Sequence, residues 1–258
     1  IEQVANEKGY SVIICLSDDS FDKEVMNMEL LAHGSTDGFI MSLSKETQYK
    51  KNFHHITEVI DQGIPVVMFD RITDEVNCDK VIIDDKKAAY EAVQYLINQG
   101  RKKIALVTTV DYVSVGKLRT DGYIKALQDN NIAFDENLII KIEDVDTCEI
   151  TISKLLADKV IDAVFAVNEL FAVTILKTAH KMNLIVPKDL AIIAFTDGII
   201  SKYSTPTITT VSQSGIKMGK KAAEILIARL ESEEDDNDEE IYKTEIIETH
   251  LIERESTD

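Results

Sequence analysis

Cysteine is scarce in this chain, with Cys15, Cys78 and Cys148 the three among 258 residues. They stand too far apart for a CxxC metal or redox motif and are odd in number for a disulfide framework, which points to a reducing cytoplasm. Basic residues are also few. Lys plus Arg total 28 against 46 for Asp plus Glu, a formal charge of −18. A surface of that sign repels phosphates, so the chain is not expected to bind DNA by itself. No apolar run approaches the roughly 20 residues needed to span a bilayer. The opening Ile1-Glu2-Gln3-Val4-Ala5-Asn6 lacks the basic start and apolar stretch of a secretion signal. Enzyme signatures are missing as well: there is no GxGxxG, P-loop, GxSxG or HExxH, and the ten glycines sit mainly at helix ends and turns. His54-His55 falls in an expected surface helix with neither a cysteine nor a third histidine in reach by spacing. No catalytic residue, metal or cofactor is expected.

What is present is the balance of a foldable globular protein, 45% hydrophobic and 29% charged, long enough for two lobes that each bury a core. Short β-branched apolar runs alternate with amphipathic segments of helical period. Strands are expected at 10–16, 38–43, 65–70, 80–83, 103–108, 137–142, 162–167 and 190–195. Helices are expected at 19–32, 49–61, 86–98, 115–129, 147–157, 169–182 and 216–230. Three strand entries, Lys8-Gly9-Tyr10, Gln62-Gly63-Ile64 and Gln99-Gly100-Arg101, share a glycine that can end the preceding helix in the left-handed conformation. Such strand and helix units build parallel sheets covered on both faces, with ligands at the carboxyl ends of the strands. Two places break the pattern. Ile1, Val4, Ala5 and Lys8 read as the second half of a helix with no strand before it, so a truncated N-terminus is expected. Residues 231–240 hold eight acids in ten and are expected as a solvated loop.

The strands end in a consistent set of polar residues: Ser17-Asp18-Asp19, Ser44, Asp70-Arg71, Asp84-Asp85, Asn168-Glu169 and Thr196-Asp197-Gly198. Arg119 falls in the opening turn of a helix. Each has a plainer reading. Asp85 and Asn168 suit helix N-caps, Asp197-Gly198 suits a turn, and Asp70 with Arg71 suits a loop ion pair. Together they suit a crevice for a neutral, hydroxyl-rich ligand. Carboxylates accept from hydroxyls, Asn donates and accepts, and one Arg can fork across adjacent oxygens.

The run Ile64-Pro65-Val66-Val67-Met68-Phe69-Asp70-Arg71, followed by Val81-Ile82-Ile83-Asp84-Asp85, resembles the effector-binding core of the LacI family of bacterial regulators. The likeness continues through Gly100-Arg101-Lys102-Lys103-Ile104-Ala105 and Arg119-Thr120-Asp121-Gly122-Tyr123 with Ala126-Leu127. It extends to Pro187-Lys188-Asp189-Leu190, Phe195-Thr196-Asp197, Pro206 to Gln213, and Met218-Gly219. The resemblance implies a two-lobed α/β periplasmic-binding-protein-like (type I) fold, with residues 1–85 plus 214–240 in one lobe and 86–213 plus 241–258 in the other. By the same resemblance the first strand and the DNA-binding headpiece are absent from this chain, and a sugar-like effector lies between the lobes. Arg119, Asp197, Asn168, Asp85 and Gln213 would touch it, with Asp70 a further candidate, and Arg119→Ala would abolish binding while leaving the fold intact. A homodimer is implied, with operator DNA reached through the headpiece. The alternatives are a periplasmic sugar-binding protein of a transport system, which needs the same crevice, and a doubly wound enzyme, which would need a nucleophile and base that the sequence does not display.

Overall fold

The computed structural model describes residues 1–34, 36–158, 160–232 and 241–258. In chain order its elements are α1 (Glu2–Glu7), α2 (Phe21–Ala32), β1 (Phe39–Met41), α3 (Lys45–Lys50), α4 (His54–Asp61), β2 (Val66–Phe69), β3 (Asp79–Ile83), α5 (Asp85–Asn98), β4 (Ile104–Thr108), α6 (Ser114–Asp129), β5 (Ile139–Lys141), α7 (Cys148–Asp158), β6 (Ala163–Ala166), α8 (Glu169–Lys181), β7 (Ala191–Phe195), α9 (Ile199–Tyr203), β8 (Thr209–Ser212), α10 (Gly215–Leu230), β9 (Thr244–Ile247) and β10 (His250–Ile252). They form two compact units. One is Ile1–Ile83 with Tyr112–Ser114 and Ser214–Ile247; the other is Asp84–Asp111 with Val115–Gln213 and Glu248–Asp258.

The sheet of the first unit runs β1-β2-β3-β9, parallel throughout. Met28, Leu43, Ile56, Val59, Val66 and Met68 form its core beneath α2 and α4. The division of the sequence at 240/241 puts residues 244–247 in the other lobe. The register Lys80↔Thr244 to Ile83↔Ile247 instead makes them the edge of this sheet. Residues 10–16 are not a strand: no sheet includes them, and Ile13, Ile14 and Leu16 are 58%, 79% and 74% exposed. A β-branched run becomes a strand only when a neighbour satisfies its backbone groups. The helix expected over 49–61 is two helices. Lys51 turns left-handed at φ 49°, and Asn52 Oδ1 accepts from the His54 backbone N–H at 3.3 Å, so a local side-chain bond replaces a helical turn. That break lets His55 turn inward, where it is 1% exposed and its Nε2 lies 3.0 Å from Glu24 Oε1. Of the acidic run, 233–240 lie outside the described residues.

In the second unit the sheet order is β10-β8-β7-β6-β4-β5, parallel except for the β10 edge. Every residue of β4, β6 and β7 is buried, because helices cover both faces of a parallel sheet and leave no polar side. α5 presents Ala88, Ala89, Ala92, Val93 and Leu96 inward at helical spacing. Its start is fixed by the Asp84 carboxylate, which accepts from the Lys87 N–H at 2.9 Å, and it stops before Gly100 at φ 88°. The chain end is stitched into the sheet: Ser256 Oγ donates to Ile192 O at 2.6 Å and accepts from the Thr209 N–H at 2.8 Å. Among the described residues no helix is long and apolar enough to cross a membrane.

Burial also separates the thiols. Cys15 is exposed, whereas Cys78 and Cys148 are buried. Burial pushes the Cys78 thiol up to about 11 and raises that of Cys148. Since the thiolate is the reactive form, one equivalent of thiol is expected to react with a disulfide reagent at pH 8 in the native protein, against three in denaturant. Rapid release of more than one equivalent from the native protein would contradict this packing.

Candidate functional site

Five of the six expected residues belong to the second unit. Asp85 opens α5 and Arg119 lies on the inward face of α6; they are 4% and 5% exposed. Arg119 Nε donates to Asp85 Oδ1 at 2.7 Å, and its Nη1 donates to the Val167 carbonyl at 2.7 Å. The guanidinium carbon sits 3.9 Å from the centre of the Phe195 ring. Two charges are thus buried together, with a carbonyl and an aromatic face completing the shell that makes such burial tolerable. Arg119 is therefore a frame for the strand ends as well as a potential contact.

Asn168 follows β6. Its Oδ1 accepts from the Phe171 N–H at 2.8 Å, so it caps α8 and retains its amide NH2 to offer a ligand. Past β7, Thr196 adopts φ 75°, the left-handed region that a β-branched residue enters only at a cost of about 1–3 kcal/mol. Two bonds hold it there: its N–H donates to Val211 O at 3.0 Å, and its Oγ1 donates to Gln213 Oε1 at 2.7 Å. Gln213, the end of the segment after β8, is thereby tied to the turn that carries Asp197. Asp70 belongs to the first unit, where it ends β2 at φ 58° with its N–H on Val81 O at 3.2 Å. The neighbouring Arg71 guanidinium meets Asp19 Oδ1 at 2.5 Å; that is its ion pair.

Asp197 has three side-chain partners. Thr210 Oγ1 donates to its Oδ1 at 3.1 Å, Arg254 Nη2 donates to the same oxygen, and Lys202 Nζ lies 3.2 Å from Oδ2. Burial alone would raise its pKa, but the hydrogen bonds from Arg254, Lys202 and Thr210 hold the carboxyl below the ordinary aspartate range. Arg254, Lys202 and Thr210 were not legible as site residues. Strands β8 and β10 were not read from the sequence, so nothing placed the chain end beside Asp197. The β-branched run Ile208-Thr209-Thr210-Val211 was the available signal.

Two units built on parallel sheets, with charged and amide side chains converging where strands of the second end, define a ligand-binding core of the periplasmic-binding-protein-like class. The model of the periplasmic binding protein-like domain matches residues 93–257. The transcriptional regulator MalR of Clostridium butyricum, described as HTH-type, is 33% identical, with 99% of this chain and 75% of MalR covered. The HTH-type transcriptional repressor PurR of Vibrio atlanticus is 27% identical over 98% of this chain and 75% of its own length. A LacI family transcriptional regulator from Enterococcus faecium, solved with bound ribose, superposes with a TM-score of 0.85 at 23% identity, covering 100% of this chain and 91% of that one. The chain belongs to the LacI family of transcriptional regulators and is its effector-binding core. This membership decides against the transport-protein alternative, and the relatives it matches are regulators, not enzymes.

Proposed function

We propose that this core senses a small, neutral, hydroxyl-rich molecule of the sugar class, and that binding controls operator recognition by a DNA-reading segment of the whole regulator. The observation that carries the reading is the strained Thr196-Asp197 turn, which presents a carboxylate held in its charged form at a strand end. Strain of this kind persists where the surrounding structure over-determines it, and it clusters at ligand sites. Asp197 accepts from hydroxyl groups, the Asn168 amide donates to them, and the Asp85, Arg119 and Gln213 frame holds both in register. The ribose-bound relative supports a sugar as the ligand class. The ligand acts by binding one arrangement of the regulator more tightly than another, since only that difference shifts an equilibrium. The regulator works as a cytoplasmic homodimer, whose two-fold axis matches paired operator half-sites.

Thermal unfolding in the presence of D-ribose, D-glucose, cellobiose and hypoxanthine tests the ligand class. A neutral sugar at 100 times its Kd should stabilise the protein by about 2.7 kcal/mol, and Asp197→Ala should abolish the shift. A response to hypoxanthine alone would overturn the sugar reading.

A further inference from the structure

We propose that Arg254 is the positioning residue of this site: it fixes the Asp197 carboxylate in place as a hydrogen-bond acceptor, so the site admits hydroxyl and N–H donors and turns away acidic sugars. The inference rests on Asp197 being the ligand-facing carboxylate of the proposed function, and it adds a residue and a selectivity rule.

The geometry is that of a clamp. Arg254 lies two residues beyond β10, and its own backbone is held at both poles by one side chain: its N–H donates to Thr209 Oγ1 at 2.8 Å, and Thr209 Oγ1 donates to its carbonyl at 3.0 Å. From this anchored base the guanidinium reaches inward. Its Nη1 donates to Ile208 O at 2.8 Å and Thr210 Oγ1 at 2.9 Å, and its Nη2 donates to Asp197 Oδ1. A planar fork can serve a carbonyl, a hydroxyl and a carboxylate at once; an ammonium cannot with the same geometry. The Arg254 side chain is 15% exposed and that of Asp197 13%, so solvent screens this pair little. Lys202, on α9, is 48% exposed and its bond to Oδ2 is correspondingly weaker. Glu169 from α8 is the other charge beside this turn; its Oε1 accepts from the Ser201 N–H at 2.6 Å. Arg119 and Asp85, under Phe195, neutralise one another.

The consequence is chemical selectivity. The carboxylate offers acceptors only, so a ligand carboxylate or phosphate, which has no hydrogen to donate at neutral pH, cannot bond to it. The polar contact is then available to hydroxyl hydrogens alone or to N–H groups.

Carbon-13 labelling of the aspartate carboxyls, with Asp197 assigned through Asp197→Asn, reads the clamp without any ligand. In the wild type Asp197 should titrate below an ordinary aspartate. Arg254→Gln should move the midpoint upward, and Arg254→Lys, which keeps the charge, should restore part of it. An unchanged midpoint in a folded Arg254→Gln, or in Arg254→Lys and Arg254→Gln alike, overturns the inference. Calorimetry with D-ribose and cellobiose against D-gluconate and ribose 5-phosphate reads the selectivity. The neutral sugars should bind at pH 7 and the acids should not. Arg254→Gln should weaken neutral-sugar binding by about tenfold or more, increasingly so as pH falls towards 5. Acids binding as tightly as their neutral counterparts would overturn the selectivity rule. Failure of the underlying site would look different: Asp197→Asn would bind the sugars as the wild type does, while the titration still followed Arg254.

Discussion

Replacing Arg119 with alanine is expected to destabilise the second unit by about 3–5 kcal/mol, the cost of breaking a buried ion pair from one side. The resemblance to LacI-family cores suggests that this variant would lose ligand and keep its fold, but the geometry argues otherwise. Arg119 is 5% exposed, its Nε neutralises an Asp85 that is 4% exposed, and its Nη1 satisfies the Val167 carbonyl. Alanine leaves the carboxylate in a low-dielectric site without its cation, strands a carbonyl and opens a void against Phe195. Urea unfolding followed by circular dichroism measures the loss. The double variant Arg119→Met with Asp85→Leu should recover most of it, because removing both charges also removes the unpaired one. If Arg119→Ala unfolded within about 0.5 kcal/mol of the wild type, as a neutral surface change would, the pair would not be part of the frame.

Gly122→Ala is the second large effect, expected to cost about 1–3 kcal/mol from overpacking. A Cβ at this point of α6 would lie 2.3 Å from the Lys86 carbonyl, 2.8 Å from Ala89 Cβ and 3.0 Å from the Tyr90 nitrogen, all on α5. Two of those atoms are backbone, so the helices have to separate. The gain of about 1 kcal/mol in helix propensity from replacing glycine offsets part of this cost. Gly215→Ala serves as the control: nothing lies within 4 Å of its Cβ position, and the same propensity argument makes it neutral or slightly stabilising. Thermal unfolding of the two variants should move in opposite directions or, at the least, only Gly122→Ala should fall. Equal melting temperatures would mean that α5 and α6 can part freely.

Much of this was legible from local pattern. The run Ile104-Ala105-Leu106-Val107 and the run Ala163-Val164-Phe165-Ala166 announce strands covered on both sides, and both are fully buried. Gly100 stops α5 as its pattern announces, but the cap is Asp84, whose carboxylate takes the Lys87 N–H, and not Asp85, which is the first residue of the helix. Where local pattern misleads, a neighbour is the reason. Residues 10–16 have the composition of a strand without a ladder, and Thr244–Ile247 becomes one because β3 lies beside it. His55 looks like a surface residue by spacing and is buried on Glu24, because the helix breaks at Lys51.

The sequence by itself determined the α/β class, the likeness to LacI-family cores and the set of polar strand ends, since all three follow from periodicity, caps and motifs within a few residues of one another. Only the tertiary structure decided which charges those ends meet. Asp85 and Arg119 are 34 residues apart and Asp197 and Arg254 are 57 apart, yet each pair shares a hydrogen bond. Coulombic and hydrogen-bond partners are chosen by distance in space and by what water they exclude, and neither quantity is written along the chain.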